Sequence, residues 1–327
     1  MNSQIEAWEE YGLTRVPVSM APPLRYVNSY VLRGEEGITI IDPGPHTAAT
    51  EAEWREFMRE LKLDPKDVSS IIITHHHPDH YGLAGYLQQW SGAPVYMSHR
   101  AHEETLRMWG AASTMNEDLL KLYREHGMPA DWTAQLPAHM ESFMPQVNPT
   151  AEVSYIHEGD QIRMGGQSWR AIETAGHAPG HLSFYDERRG LMLCGDAVLP
   201  QISPNVSLMP GSDPQPLESF MNSLRRLEQY EVALAFPGHR RPFSHFAERI
   251  SMLLKHHEER LEVIAAMLAK QPLSGFAVCT GLFGTGLGIH QMRFAMSEAL
   301  AHLVELERRG YAVQIPAEGE TALFVQK

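Results

Sequence analysis

Apolar positions along this chain switch repeatedly between a period of two and a period near 3.6, and each switch predicts a change of element. The first legible unit is a pair of strands, 25–33 and 37–42, turned at Gly34-Glu35-Glu36-Gly37 and ended by Pro43-Gly44. Helical spacing follows over 47–61, with Trp54, Phe57, Met58 and Leu61 on one side. The β-branched run 71–73 predicts a buried strand, and Pro78 pre-sets the turn into a helix over 79–90. After a short strand at 95–97, residues 100–150 read as mainly helical. Strand character returns at Val153, with 161–164 and 168–174 joined by a Gly165-Gly166 turn and 182–185 paired with 191–194. A helix over 213–230 and a strand over 232–236 precede a long helix whose apolar face carries Phe246, Ile250, Leu253, Leu261, Ile264 and Leu268. Beyond a glycine-rich turn at 281–288, a helix spans 290–309, Gly310 stops it, and 311–315 with 322–326 form a terminal hairpin.

Hairpins alternating with αβ segments predict an α/β protein of two sheets packed face to face with helices outside, an αβ/βα four-layer sandwich. Residues 1–245 read as this main domain, with 100–150 a helical insertion, and 246–327 as a small, mainly α C-terminal domain. A chain of 327 residues can bury both a large core and such a module.

Composition narrows the function. The formal net charge is −13 and the basic pairs, such as Arg225-Arg226 and Arg308-Arg309, stand isolated, so nucleic acid is disfavoured as a partner. No apolar run approaches a membrane-spanning length, and 1–20 lack a basic start followed by an apolar core. A cytoplasmic location with no membrane partner is the resulting expectation. Cys194 and Cys279 are the only cysteines, far apart and without a CxxC spacing, so neither a disulfide framework nor a cysteine zinc knuckle is expected.

The chemistry concentrates where the strand at 71–73 ends. His75, His77, Asp79 and His80 fall within six positions, and imidazole with carboxylate suits zinc and similar divalent metals. His75 and His77 share one side of extended backbone while His76 points away; Asp79 and His80 diverge at the start of the next helix. Four ligands splayed in this way can serve two neighbouring metals. Further ligand types recur at later strand ends: Gly176-His177 after 168–174, Gly195-Asp196 after 191–194, and Gly238-His239 after 232–236.

The segments Thr74-His75-His76-His77-Pro78-Asp79-His80, Thr174-Ala175-Gly176-His177-Ala178-Pro179-Gly180-His181, Cys194-Gly195-Asp196 and Phe236-Pro237-Gly238-His239 together resemble the metallo-β-lactamase superfamily, in its glyoxalase II-like hydrolase branch. The resemblance spans about 25–245. It implies that His75, His77 and His177 hold one metal, that Asp79, His80 and His239 hold a second, and that Asp196 bridges them. His181 is left outside the set, and Asp42, in Ile41-Asp42-Pro43-Gly44, is an acceptor that orients a ligand or simply a turn residue. Two divalent ions, zinc first and manganese or iron as alternatives, would activate a hydroxide to attack a carbonyl carbon. Asp79 is the candidate catalytic residue, accepting a proton as the intermediate collapses.

Glyoxalase II resemblance points to thioester hydrolysis, with esters and lactones next. The abundant Met, Leu and aromatic residues of the insertion supply either a pocket for an apolar acyl substrate or simply the insertion's own core. The C-terminal part resembles the winged-helix appendage of some lactamase-like hydrolases, which keeps an endoribonuclease open as the main alternative. β-Lactam hydrolysis, sulfur dioxygenation and a non-catalytic metal-binding assembly protein are weaker readings. For 246–327, packing or homodimerisation is expected ahead of DNA reading. His99, His102, His126, His139, His245, His256, His257 and His290 are expected at the surface or in packing, and the stretch 281–286 as a turn without nucleotide-binding context.

Overall fold

The computed structural model describes residues 5–316 and 321–327. Its first sheet holds seven strands side by side in chain order: β1 (Glu6–Trp8), β2 (Leu13–Ser19), β3 (Tyr26–Gly34), β4 (Gly37–Ile41), β5 (Val68–Ile72), β6 (Val95–Met97) and β7 (Val153–Tyr155). β1 to β4 pair antiparallel and β4 to β7 parallel. The second sheet contains β8 (Gln161–Met164), β9 (Gln167–Glu173), β10 (Leu182–Asp186), β11 (Leu191–Gly195) and β12 (Leu234–Pro237), in the order β12-β11-β10-β9-β8. The β8–β9 turn is as expected: Gly165 and Gly166 both take positive φ, 61° and 73°, which the two-residue hairpin demands.

Period-two alternation divides the apolar residues between two cores. On β3, Tyr30 and Leu32 join Ile41, Ile72, Trp169, Phe184, Leu193 and Phe236 between the sheets, while Val27 and Val31 face outward onto helices. α1 (Ala48–Glu60) covers that outer face through Trp54, Phe57 and Met58, and its start is fixed by a capping box: Thr47 Oγ1 accepts from Thr50 N at 3.1 Å while Thr47 N donates to Thr50 Oγ1 at 2.9 Å. The helices on both outer faces and the two sheets between them make the expected four layers.

The helix expected over 79–90 is broken. It is a short α2 (Pro78–Tyr81) followed by α3 (Ala84–Ser91), because Leu83 N donates to Gly44 O at 2.8 Å. At the break, a Cβ on Gly82 would sit 2.2 Å from Gln146 O. β1 and β2 went unread because Glu6–Trp8 is only three residues long and Leu13–Ser19 carries Pro17 in its interior, which argues against a strand.

The insertion is helical as expected, comprising α4 (His99–Trp109), α5 (Met115–Glu125), α6 (Ala130–Thr133) and α7 (Leu136–Glu141). α8 (Pro216–Leu227) and α9 (Phe246–Leu268) follow, then α10 (Gly275–Phe283) and α11 (Ile289–Arg308). α10 corrects the expected turn at 281–288, since Gly281 to Phe283 are helical and only Gly284 onward is loop. A small sheet, β13 (Leu273–Ser274), β14 (Ala312–Pro316) and β15 (Ala322–Gln326), contains the expected terminal hairpin, with β15 central. α11 buries thirteen of its twenty residues, so it is an internal strut of the molecule. Among the described residues no helix is long and apolar enough to cross a membrane.

Candidate metal centre

Loops leaving the strand ends bring all seven expected ligands together. His75 and His77 follow β5, Asp79 and His80 lie on α2, His177 follows β9, Asp196 follows β11 and His239 follows β12. Their ligand atoms form three overlapping groups, each within 4.8 Å: His75, His77 and His177; His75, His80 and Asp196; and Asp79, His80 and His239. Asp196 joins them. Its Oδ1 lies 3.6 Å from His80 Nε2, and its Oδ2 lies 3.6 Å from His177 Nε2 and 3.4 Å from His239 Nε2. Asp79 Oδ2 stands 3.3 Å from His239 Nε2 and 3.8 Å from His80 Nε2.

Outer partners fix which nitrogen of each ring faces inward. His80 Nδ1 donates to Asp42 Oδ2 at 2.9 Å, His177 Nδ1 to Asn205 O at 2.7 Å, and His239 Nδ1 to Tyr26 O at 3.0 Å. Each therefore turns a bare Nε2 to the centre. Asp42 also accepts from Thr74 N at 2.8 Å and Thr74 Oγ1 at 2.7 Å, so that hydroxyl can accept from His75 Nδ1 at 2.9 Å. This leaves His75 Nε2 bare, 3.1 Å from His77 Nδ1. Asp42 thus orients ligands and is more than a turn residue; its φ of +50° is the backbone strain accepted to aim it. Both nitrogens of His181 are occupied, by Thr174 Oγ1 at 2.7 Å and by the N–H of Asp196 at 3.1 Å, which keeps it outside the ligand set.

Close approach of the loops needs residues without a side chain. A Cβ on Gly238 would lie 2.2 Å from Asp196 Oδ1 and 2.7 Å from His80 Cε1, so only glycine lets these ligands converge. The same loop is pinned from β3: Asn28 Nδ2 donates to Pro237 O at 2.8 Å and Arg240 O at 2.6 Å, and Tyr30 Oη donates to Pro237 O at 2.7 Å. On the other side Asn205 Nδ2 donates to Glu298 Oε2 at 2.8 Å, tying the loop that orients His177 to α11. Asn28, Tyr30, Asn205 and Glu298 were not picked out in the sequence. The adjacent polar pair Asn28-Ser29 inside an apolar strand was the one available signal.

The residues fit a cation. His80 Nε2, His177 Nε2 and Asp196 Oδ1 are buried without a hydrogen-bond partner, an arrangement that costs free energy unless positive charge sits among them. The electrostatics agree. Burial disfavours charge on His80, yet Asp196, Asp42 and Asp79 raise it well above the usual range; His239, against the same burial, is pushed up to about 10 by Asp196 and Asp79. The carboxylates draw positive charge inward. Burial and crowding imidazoles push His75 and His77 well below the usual histidine range, and burial lowers His177. Metal cations satisfy both demands, since they accept the lone pairs and neutralise the carboxylates without placing protons on the rings.

A cavity of about 700 Å³ opens onto the cluster. Met108 and Trp109 of α4, Phe143 after α7, and Phe283, Leu287 and Phe294 around α10 and α11 contribute apolar wall. The insertion and the C-terminal part therefore both shape this space. His139 and His290, expected at the surface or in packing, also line it. Cys194 is fully buried two residues before Asp196, and burial pushes its thiol well up.

Such a ligand cluster at the strand ends of an αβ/βα sandwich defines a metallo-hydrolase-type site. The chain belongs to the metallo-beta-lactamase superfamily, whose description matches residues 22–239, while 261–326 match the metallo-beta-lactamase-like C-terminal domain. It is 30% identical to the probable metallo-hydrolase YqjP of Bacillus subtilis (strain 168), over 97% of this chain and 98% of that one. The crystal structure of a metallo-beta-lactamase family protein from Thermus thermophilus superposes with a TM-score of 0.86 at 32% identity, covering 97% of this chain and 99% of that one. A more distant likeness, 23% identity over 53% of this chain and 46% of the relative, is to a hydroxyacylglutathione hydrolase of Idiomarina loihiensis.

Proposed function

We propose that this protein is a hydrolase that holds two divalent cations and cleaves a thioester, or failing that a related ester or lactone. The observation that carries the reading is Asp196, one buried carboxylate shared by His80, His177 and His239 at 3.4 to 3.6 Å. In this reading His75, His77 and His177 hold one ion, Asp79, His80 and His239 the other, and Asp196 both. When bound, the ions supply Lewis acidity, bringing the pKa of water from about 15.7 towards 7 and polarising a carbonyl.

The chain's own groups supply the rest. Asp42, Asn205 and the Tyr26 carbonyl hold the imidazoles in the tautomers that present Nε2, before any substrate arrives. Burial opposes ionisation of Asp79, but His80 and His239 overcome it and hold its carboxyl below the usual range. Lining the cavity as an ionised acceptor, Asp79 is placed to take a proton as the tetrahedral intermediate collapses. The Met, Trp and Phe walls exclude bulk water and suit an acyl chain. Support for a thioester comes from those walls and from the hydroxyacylglutathione hydrolase likeness. An RNA substrate is disfavoured because α11, the element a winged helix would lay in a groove, is buried along most of its length.

The test is a panel of acylglutathione, acyl-CoA, lactone, β-lactam and single-stranded RNA substrates offered to the protein loaded with zinc, manganese or iron. Thioesters should be turned over fastest, with activity lost to a chelator and restored by metal. RNA or β-lactam cleavage with thioesters untouched would overturn the substrate class, and inertness to the whole panel would overturn the hydrolase reading.

A further inference from the structure

The cavity wall contains a cation that the metal chemistry does not use. Arg293, on the second turn of α11, is only 8% exposed and lines the cavity. Its guanidinium stacks on Phe294, with Cζ 4.0 Å from the ring centroid, and lies 5.7 Å from that of Phe143. Its Nε has no hydrogen-bond partner, and among the described residues no carboxylate pairs with the group. The nearby acids are engaged elsewhere. Glu298 is held by Arg260 and Asn205, Glu104 by Arg100 at 2.7 Å and Arg107 at 3.6 Å, and Asp213 accepts from Gln215 N at 2.8 Å. A buried guanidinium without an anion is costly to fold around unless a ligand supplies one.

Two imidazoles complete the patch. His139 lies against His290 with ring centroids 5.4 Å apart, His290 against Phe294 at 5.0 Å, and His139 Nε2 is a second buried atom without a partner. Arg293 of α11 and His139 of α7, each with an unpartnered nitrogen, thus line the same cavity as the metal cluster.

We propose that Arg293, flanked by His139 and His290, is a carboxylate-binding subsite, so that the substrate of this hydrolase carries a carboxylate remote from its scissile carbonyl. The inference rests on the hydrolase reading above and names the class of acyl group. The planar fork of a guanidinium matches a carboxylate through two parallel N–H bonds, and the Phe294 stack fixes its plane. One formal cation balances one negative charge. Burial, then Arg293 and His290, hold His139 down at about 4, and burial, then Arg293, lower His290 against the pull of Asp79, so the imidazoles add hydrogen bonds without adding charge; a phosphate dianion would be left half uncompensated.

The test uses the metal-loaded full chain and two nearly isosteric substrates, S-phenyl monothioglutarate, which ends in a carboxylate, and S-phenyl hexanethioate, which does not. The wild type should prefer the acid in kcat/KM by about 10- to 100-fold, the range for a hydrogen-bonded charged group, and Arg293→Met should erase the preference by lowering kcat/KM for the acid far more than for the neutral thioester. Arg293→Lys should restore it in part. Calorimetric titration with monomethyl glutarate, dimethyl glutarate and inorganic phosphate gives a readout apart from turnover: the monoacid should bind in an Arg293-dependent manner and the other two should not. Equal turnover of both thioesters by the wild type would overturn the subsite even if Arg293→Met fails to fold, and would leave the thioesterase reading standing. Phosphate binding more tightly than the monoacid would also overturn it. Arg293-dependent binding of the monoacid without hydrolysis of either thioester would uphold the subsite and sink the thioesterase reading.

Discussion

Two clusters of buried histidines lie in this molecule, and they behave in opposite ways. Between α9 and α11, His257 Nδ1 meets His302 Nε2 at 3.1 Å, and His302 Nδ1 donates to the carbonyl of Glu298 at 2.7 Å. One proton serves each of those contacts, no carboxylate among the described residues pairs with either ring, and burial drives His257 well below the usual range and His302 to about 3. These are neutral packing histidines. In the strand-end cluster, by contrast, outward-facing nitrogens are satisfied by Asp42, Asn205 and Tyr26, while the inward-facing atoms are bare and gathered around two carboxylates. Burial is common to both, and His257 Nε2 is without a partner as well. Bare lone pairs converging with negative charge distinguish a site that calls for a metal.

The sharpest way to break the contrast is to remove the shared carboxylate. Asp196→Ala should deplete bound metal and lower kcat by on the order of 1,000-fold or more, as expected when an activated water is lost; metal analysis and steady-state kinetics check this together. Asp42→Ala removes only the orienting acceptor. It should weaken metal affinity by about 10- to 100-fold, read by competition with a chromogenic chelator, while a saturating supply of metal restores much of the activity. Glu298→Gln should act more weakly in the same direction, within about tenfold, because it reaches His177 only through Asn205.

The packing pair should respond differently. The folded-state pKa of His302, about 3, lies below the ordinary histidine value, so the unfolded chain binds more protons in between. The stability this group contributes is fully present above about pH 6.5 and is lost as pH falls towards 3, to the extent of a few kcal/mol at most. His302→Gln should therefore flatten the acid side of the stability profile, measured as urea midpoints between pH 7 and 5, and leave metal content unchanged. Loss of metal in that variant would erase the distinction between the two clusters.

How much of this was legible in the sequence follows from what each feature depends on. The strands and the ligand motifs were readable because they are local: β-branched runs ending in His, Asp or Gly-His. The break between α2 and α3 was not, because it is set by Gly44 O and Gln146 O, residues distant in sequence. β2 was hidden by Pro17 in its interior and by Arg15, a charged residue that is buried only through its partners Asn28 and Glu6. His139 and His290 were expected at the surface or in packing because neither belongs to a ligand motif; only the packing of the insertion against α11 turns them into neighbours. The C-terminal part was expected to serve packing or association, and its share in the cavity wall arises from the same long-range contact.

Metal stoichiometry in the parent and in Asp79→Ala tests the central claim most directly. Asp79 belongs to only one of the two proposed ion sites, so mass spectrometry of elements on purified, metal-replete protein should find two divalent ions per chain in the parent and close to one in the variant. A single ion or none in the parent, or an unchanged pair in Asp79→Ala, would contradict the account.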